Sequence, residues 1–221
     1  MERLICVLVG YVFGLIQTGY IYGKKNGVDL RKKGSGNAGT TNALRTMGWK
    51  AGAVTLLGDC FKCVAAVVVV HLIYGKTHTD MMPLLSMYAG MGAVLGHNYP
   101  FYLKFKGGKG IAATAGLIIS TTNIWIVLIC LAAFIAIVAA TRYVSLGSMT
   151  VVTIYLISVI VYGQHGGFGV ENVSYLHEMY GVAAFLMILA FWRHRANIKR
   201  LLSGTENKIS VGGNRIKMSQ G

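Results

Sequence analysis

Residues 111–140 read IAATAGLIISTTNIWIVLICLAAFIAIVAA, thirty residues without one charge. A helix needs about 17–25 apolar residues to cross the hydrocarbon layer at a rise of about 1.5 Å each. The stretch is therefore too long for one crossing and short for two. Its polar knot, Thr121-Thr122-Asn123, sits near the middle and predicts a turn between two short helices.

The rest of the chain tests that reading. Further apolar runs cover residues 4–22, 51–74, 83–96, 143–162 and 179–192. Lys and Arg concentrate in residues 24–50 (seven), in 104–109 (three), at Arg142 and in 193–217 (seven), which is 18 of 21. If 111–140 crosses twice, all four clusters fall on one membrane face. The opposite loops then hold only Lys76 in residues 75–82 and no Lys or Arg in 163–178. A single crossing would move the last cluster to the other side. Basic residues stay in the cytoplasm, so the charge pattern selects an all-α polytopic bundle of about seven transmembrane helices, several of them short. The N-terminus lies outside and the C-terminus in the cytoplasm. Residues 1–209 form one integral membrane domain, and 210–221 a flexible tail.

Composition agrees. Of 221 residues, 54% are hydrophobic and 13% charged, against about 25% charged in soluble domains; mean hydropathy is +0.57. So much apolar material excludes disorder, and a soluble nucleic-acid binder could not keep it dissolved. The net charge of +14 therefore points to membrane topology and anionic ligands. The first run lacks the basic leader and cleavage site of a removable signal peptide. Cys60 and Cys63 form a C-x-x-C with no second Cys/His pair nearby, and read as small fillers of a membrane helix. Asp59 and Lys62, three residues apart in the second run, read as a neutralising pair at a depth where lone charges are costly.

Chemistry-capable residues crowd the basic loops. The first loop runs Gly34-Ser35-Gly36-Asn37-Ala38-Gly39-Thr40-Thr41-Asn42-Ala43-Leu44-Arg45. Its G-x-G-x-x-G lacks the preceding strand of a dinucleotide fold, and Thr40 stands where a P-loop would need Lys. Backbone N–H groups, hydroxyls and an Arg nonetheless suit a phosphate. The second loop ends in Gly107-Gly108-Lys109-Gly110 directly before a helix, an arrangement that offers N–H donors and a helix dipole to an anion. The third carries Arg193-His194-Arg195 and Asn197, with His194 and Asn197 on one helical face. Arg193, Lys199 and Lys208 read as a basic stop-transfer flank.

Taken in order, these loops resemble the three cytoplasmic motifs of the bacterial acyl-phosphate:glycerol-3-phosphate acyltransferases, the PlsY family. The resemblance extends to Asp59-x-x-Lys62 and to Arg142-Tyr143-x-Ser145-Leu146-Gly147, with a departure at Cys63, where Gly is common. It implies an enzyme of the bacterial inner membrane, with its active-site loops on the cytoplasmic face. Such an enzyme moves a fatty acyl group from acyl phosphate to the 1-hydroxyl of glycerol 3-phosphate, giving lysophosphatidic acid and phosphate in phospholipid biosynthesis. Ser35, Arg45, His194 and Asn197 would be catalytic. Asn37, Thr41, Asn42, His97, Lys104, Gly107, Gly108, Lys109, Gly110 and Ser145 would bind substrate, and Arg195 would be a further phosphate ligand. No cofactor, metal or nucleic acid is called for; the partners are the two substrates, membrane lipids and a soluble enzyme that makes acyl phosphate. The His-x4-Asp signature of other acyltransferases is absent: His97 and His194 are followed by Tyr102 and Lys199. The competing reading is a transporter of a phosphate ester. The residues leave open whether His97, His194 or a substrate phosphate oxygen acts as base.

Overall fold

A computed structural model describes residues 1–209; the tail expected over 210–221 lies outside them. Among the described residues ten α-helices follow one another: α1 Glu2–Gly14, α2 Thr18–Lys25, α3 Thr40–Met47, α4 Trp49–Tyr74, α5 Met82–Asn98, α6 Ile111–Thr121, α7 Ile124–Thr141, α8 Val144–Gln164, α9 Val173–Arg193 and α10 Arg195–Leu202. Strands are absent among the described residues. Five segments are long and apolar enough to cross a membrane: Glu2–Lys25, α4, α7, α8 and α9. Large apolar side chains face outward, with Leu72 80% and Trp125 71% exposed. Only a lipid solvent makes such a surface favourable.

The turn expected at residues 121–123 is present. Thr121 and Thr122 donate their hydroxyls to the Leu117 and Ile118 carbonyls at 2.8 and 2.7 Å, and Asn123 Oδ1 accepts the Ile126 N–H at 3.0 Å. Asn123 thus satisfies an N–H freed by the start of α7, while the two threonine hydroxyls fold back as second donors onto carbonyls of α6. The resulting α6 has 11 residues, about 16 Å at the helical rise, roughly half of the hydrocarbon layer.

Two expectations need correction. The first run is not one helix: it breaks after Gly14, where the Gln17 side-chain amide donates to the carbonyls of Gly14, Gly96 and His97. The first basic loop is not all coil either, because it contains the short amphipathic helix α3, while the helix expected in the third cluster is present as α10.

Helix α1 lies against α5 through two glycine pairs of identical spacing, Gly10/Gly14 and Gly92/Gly96. A Cβ at Gly10 or Gly14 would collide with the Ala89 or Ala93 carbonyl oxygen, and one at Gly92 or Gly96 with that of Val7 or Tyr11. These are backbone atoms that cannot swing aside, so the absence of side chains sets the approach. Gly10→Val is expected to cost about 1–3 kcal/mol through overpacking, read as a lower thermal midpoint of the detergent-purified protein. Further along the same helices Glu178 of α9 accepts from Arg3 Nη2 at 2.8 Å and from the Tyr88 hydroxyl at 2.5 Å, joining α1, α5 and α9.

Candidate active site

The first loop is organised around Asn42 on α3. Its Oδ1 accepts the Ser35 N–H at 2.9 Å, and its Nδ2 donates toward the carbonyls of Leu30, Lys33 and Asn37 at 3.0, 3.0 and 2.9 Å. A fully buried amide with both ends engaged is the scaffold of this loop, and Asn42, expected from the sequence to bind substrate, also borders the cavity. Gly34 follows from it: φ is +57°, and a Cβ would strike Asn42 Oδ1. Wrapped this way, the loop brings Ser35, Asn37, Thr41 and Arg45 to one cavity wall.

The glycines of the second loop play a different part from the expected one. The Gly107 and Gly108 N–H groups donate to the Asn98 and His97 carbonyls at 3.2 and 3.1 Å, so they are not free for an anion. Their own carbonyls accept from Arg193 Nη2 at 3.1 and 2.7 Å. Glycine is needed for close approach: a Cβ at 107 would collide with the His97 carbonyl, and one at 108 with the His97 ring. Arg193 is thus a clamp on this loop and a wall of the cavity, more than the basic flank expected. Lys109 and Gly110 do face the cavity, as do Ile111 and Ala112 in the first turn of α6, whose N–H groups have no helical partner. Lys104 does not: it is exposed and ends a 3-10 turn at φ +54°. Arg195 is also turned away, donating to the Trp192 carbonyl at 3.0 Å and lying over the Trp192 ring.

His194 and Asn197 enter from the α9–α10 junction. His194 is buried, and its Nδ1 meets the Ala190 carbonyl at 2.8 Å. A carbonyl can only accept, so the proton sits on Nδ1 and Nε2 keeps its lone pair. Burial, reinforced by the Lys109 charge, pushes the His194 pKa down to about 4. Asn197 accepts from the Lys109 ammonium through Oδ1 and donates through Nδ2 to Glu206 Oε1 at 2.7 Å. Glu206 gathers two more donors, Ser145 Oγ at 3.0 Å and Arg200 Nε at 2.7 Å. Burial alone would raise its pKa, but the bonds from Asn197, Arg200 and Ser145 outweigh this and hold it below the usual range. Burial likewise lowers Lys109 to about 8, with Glu206 opposing and Arg200, Arg193 and Arg45 adding to the fall.

Residues 203–209 pass back across this face. The Asn207 carbonyl accepts from Arg45 Nη2 at 3.0 Å, and the Ile209 N–H donates to the Arg142 carbonyl at 2.9 Å. Glu206, Arg193, Arg200 and Asp59, all on the cavity wall, were not among the expected site residues. Asp59 accepts from Lys62 at 2.9 Å, with His97 beside both. The neutralising pair is therefore present, but it also borders the site.

The cavity measures about 550 Å³. At one end stand the cations of Arg45, Lys109, Arg193 and Arg200; at the other Ile118, Val127, Leu131, Phe134 and Val151 of α6, α7 and α8 form an apolar wall. Such a space fits an amphiphile with an anionic head and a hydrocarbon tail. It defines a lipid-handling membrane protein.

The comparisons name the chemistry. The family model for glycerol-3-phosphate acyltransferase matches residues 4–204. A glycerol-3-phosphate acyltransferase of Clostridioides difficile is 44% identical over 207 residues, covering 93% of this chain and 95% of that protein. Another, of Halalkalibacterium halodurans, is 42% identical over 206 residues, covering 92% and 93%. Among solved structures, the glycerol 3-phosphate form of PlsY, an integral membrane glycerol 3-phosphate acyltransferase, superimposes with a TM-score of 0.80 at 31% identity, covering 95% of this chain and 96% of that one. Its lysophosphatidic acid form gives 0.78 at 30%, with the same coverage. The chain belongs to the glycerol-3-phosphate acyltransferase family, and is an integral membrane acyltransferase.

Proposed function

We propose that the protein transfers a fatty acyl group from acyl phosphate to the 1-hydroxyl of glycerol 3-phosphate, giving lysophosphatidic acid and phosphate for phospholipid synthesis. The observation that carries this reading is the two-ended cavity. A cation cluster at its mouth suits two phosphates, and an apolar wall between α6, α7 and α8 suits the acyl tail. In the cell the protein sits in the bacterial inner membrane as one catalytic unit over residues 1–209. It crosses seven times, with α5 and α6 as the short spans, the N-terminus outside and the site on the cytoplasmic face. A soluble enzyme supplies acyl phosphate from that side.

Acyl phosphate is a mixed anhydride, so direct attack needs no acyl-enzyme. The glycerol oxygen bonds to the acyl carbon while the bond from that carbon to the phosphate oxygen breaks. Arg45, Lys109, Arg193 and Arg200 neutralise phosphate charge, and Asn197 aims the Lys109 ammonium. Ser35, Asn37 and Thr41 hold polar substrate groups at the mouth, and Ser145 steadies Glu206. Nε2 of His194 accepts a hydrogen bond from the attacking hydroxyl and so orients it. With a pKa of about 4 it is a poor proton acceptor at neutral pH, and the proton passes to a phosphate oxygen, whose pKa of about 6 is better matched.

Purified protein given labelled glycerol 3-phosphate should form lysophosphatidic acid with acyl phosphate as donor, and none with acyl-CoA or acyl carrier protein. Product from either of the latter would overturn the donor assignment. The Lys109 pKa gives a pH test. In the free enzyme the ammonium loses its proton as pH rises through about 8, and a neutral amine no longer attracts phosphate. The KM for glycerol 3-phosphate should therefore climb above pH 8, and a bound phosphate should draw a proton onto Lys109. A KM flat from pH 7 to 9.5 would remove Lys109 from phosphate binding.

A further inference from the structure

The loop that leads into the glycines carries side chains that the cavity does not use. Phe101, Tyr102 and Phe105 are 58%, 46% and 59% exposed, and Lys104 and Lys106 stand exposed beside them. Among the described residues no carboxylate pairs with either lysine. Other cations of this face are already engaged: Arg31 pairs with Asp29, Arg193 clamps the glycine carbonyls and Arg195 lies over Trp192.

The display is held by its own backbone. The Pro100 carbonyl accepts the Leu103 and Phe105 N–H groups at 3.1 and 3.0 Å, Leu103 is buried, and the Tyr102 hydroxyl donates to the Leu15 carbonyl at 2.6 Å. Lys104 and Phe105 both take left-handed backbone, at φ +54° and +58°. Two successive non-glycine residues there are costly, and persist only where their surroundings impose them. The foot of the loop belongs to the site: the Gly107 and Gly108 N–H groups bond to the Asn98 and His97 carbonyls, and His97, Lys109 and Gly110 line the cavity.

Aromatic rings settle at headgroup level, between water and hydrocarbon, where an ammonium meets lipid phosphate. An acidic soluble protein would satisfy the lysines but has no need of three rings at a bilayer edge. We infer that residues 101–106 are a docking site for an anionic phospholipid of the adjoining leaflet, with Lys104 and Lys106 on its phosphate and Phe101 and Phe105 in the bilayer edge, and that its occupancy steadies the strand Gly107–Gly110. The docking stands on the loop alone. The effect on the strand shows in turnover, and so rests on the acyl-transfer reading of the cavity.

The test uses full-length protein in nanodiscs of phosphatidylcholine, alone or mixed with phosphatidylglycerol. A photoreactive phosphatidylglycerol should label residues 101–106 about fivefold more than the matching phosphatidylcholine probe. Lys104→Gln/Lys106→Gln should abolish that preference. Equal labelling by the two probes, or phosphatidylglycerol labelling confined to other basic segments, overturns the site without any substitution having to fold. In wild type, kcat/KM for glycerol 3-phosphate should be about threefold higher in the mixed discs. A negative surface by itself repels glycerol 3-phosphate and would lower kcat/KM, so a rise has to come from the loop. Lys106→Glu should keep the phosphatidylcholine value, which also reports its folding, and lose the rise. A lipid dependence that survives in Lys106→Glu, or none in labelled wild type, overturns the coupling to the strand. Labelled wild type that forms no product from acyl phosphate in either disc would instead strike the reaction assigned to the cavity.

Discussion

Alanine at Glu206 is expected to inactivate the enzyme and to lower its thermal midpoint, the largest combined effect of any single change at the site. Among the described residues Glu206 is the only carboxylate that Arg200 pairs with, and it is the acceptor for Asn197 and Ser145. Removing one partner of a buried ion pair costs about 3–5 kcal/mol. The Arg200 side chain is 37% exposed, so water recovers part of this, and about 2–3 kcal/mol is the expected loss. Asn197 would then be free to turn, and the Lys109 ammonium would lose both its hydrogen-bond acceptor and the nearest compensating charge. Loss of aim at a site built on positioning costs orders of magnitude in rate. Glu206→Gln retains an acceptor but not the charge, and should recover part of the stability and little of the activity. Calorimetry with turnover on the same preparations decides; unchanged stability in Glu206→Ala would show that the network does not hold the loops together.

The second large effect is expected at His194. Its replacement by alanine removes the lone pair that orients the attacking hydroxyl and should lower kcat by about 10²–10³, as deleting a well-placed polar group in other sites does. Because phosphate contacts remain, KM for glycerol 3-phosphate should change much less. His194→Gln can present an oxygen where Nε2 stood and should restore about a tenth of the lost rate. A His194→Ala enzyme with unchanged kcat would refute the orienting role.

Much of the bundle could be read from composition because the bilayer imposes a simple rule on sequence. Apolar length is a local count, and the turn at Thr121–Asn123 announces itself by three polar residues within an uncharged stretch. The break after Gly14 could not be read in that way. It depends on Gln17 reaching carbonyls of α5, nearly eighty residues away, and one Gln in an apolar run carries no hint of that. At the site, residues dense in one loop (Ser35, Asn37, Thr41, Arg45) could be singled out by local pattern. Glu206 falls within the third motif of the resemblance, but its neighbours Thr205 and Asn207 give no sign of its role, which comes from partners on α8 and α10. The glycines of the second loop show the limit of motif reasoning. Their spacing suggests donors for an anion, whereas both N–H groups face the end of α5. The resemblance implies a substrate contact at Lys104, but a left-handed backbone turns it out to solvent.

The route of residues 203–209 has a consequence for biogenesis. The cation cluster draws Arg45 from near the start of the chain, Lys109 from its middle and Arg200 from near its end, and the segment that holds them comes later still: Glu206 pairs with Arg200 and, through Asn197, aims Lys109, while the Asn207 carbonyl holds Arg45. A nascent chain with every earlier helix already in the bilayer would therefore carry the phosphate-attracting side chains without the residue that aligns them. Catalytic competence arrives only after α9 has been inserted and the segment beyond it has folded back. On the proposed mechanism, partly translated copies would be inert, and no separate inhibitor is needed to keep them so.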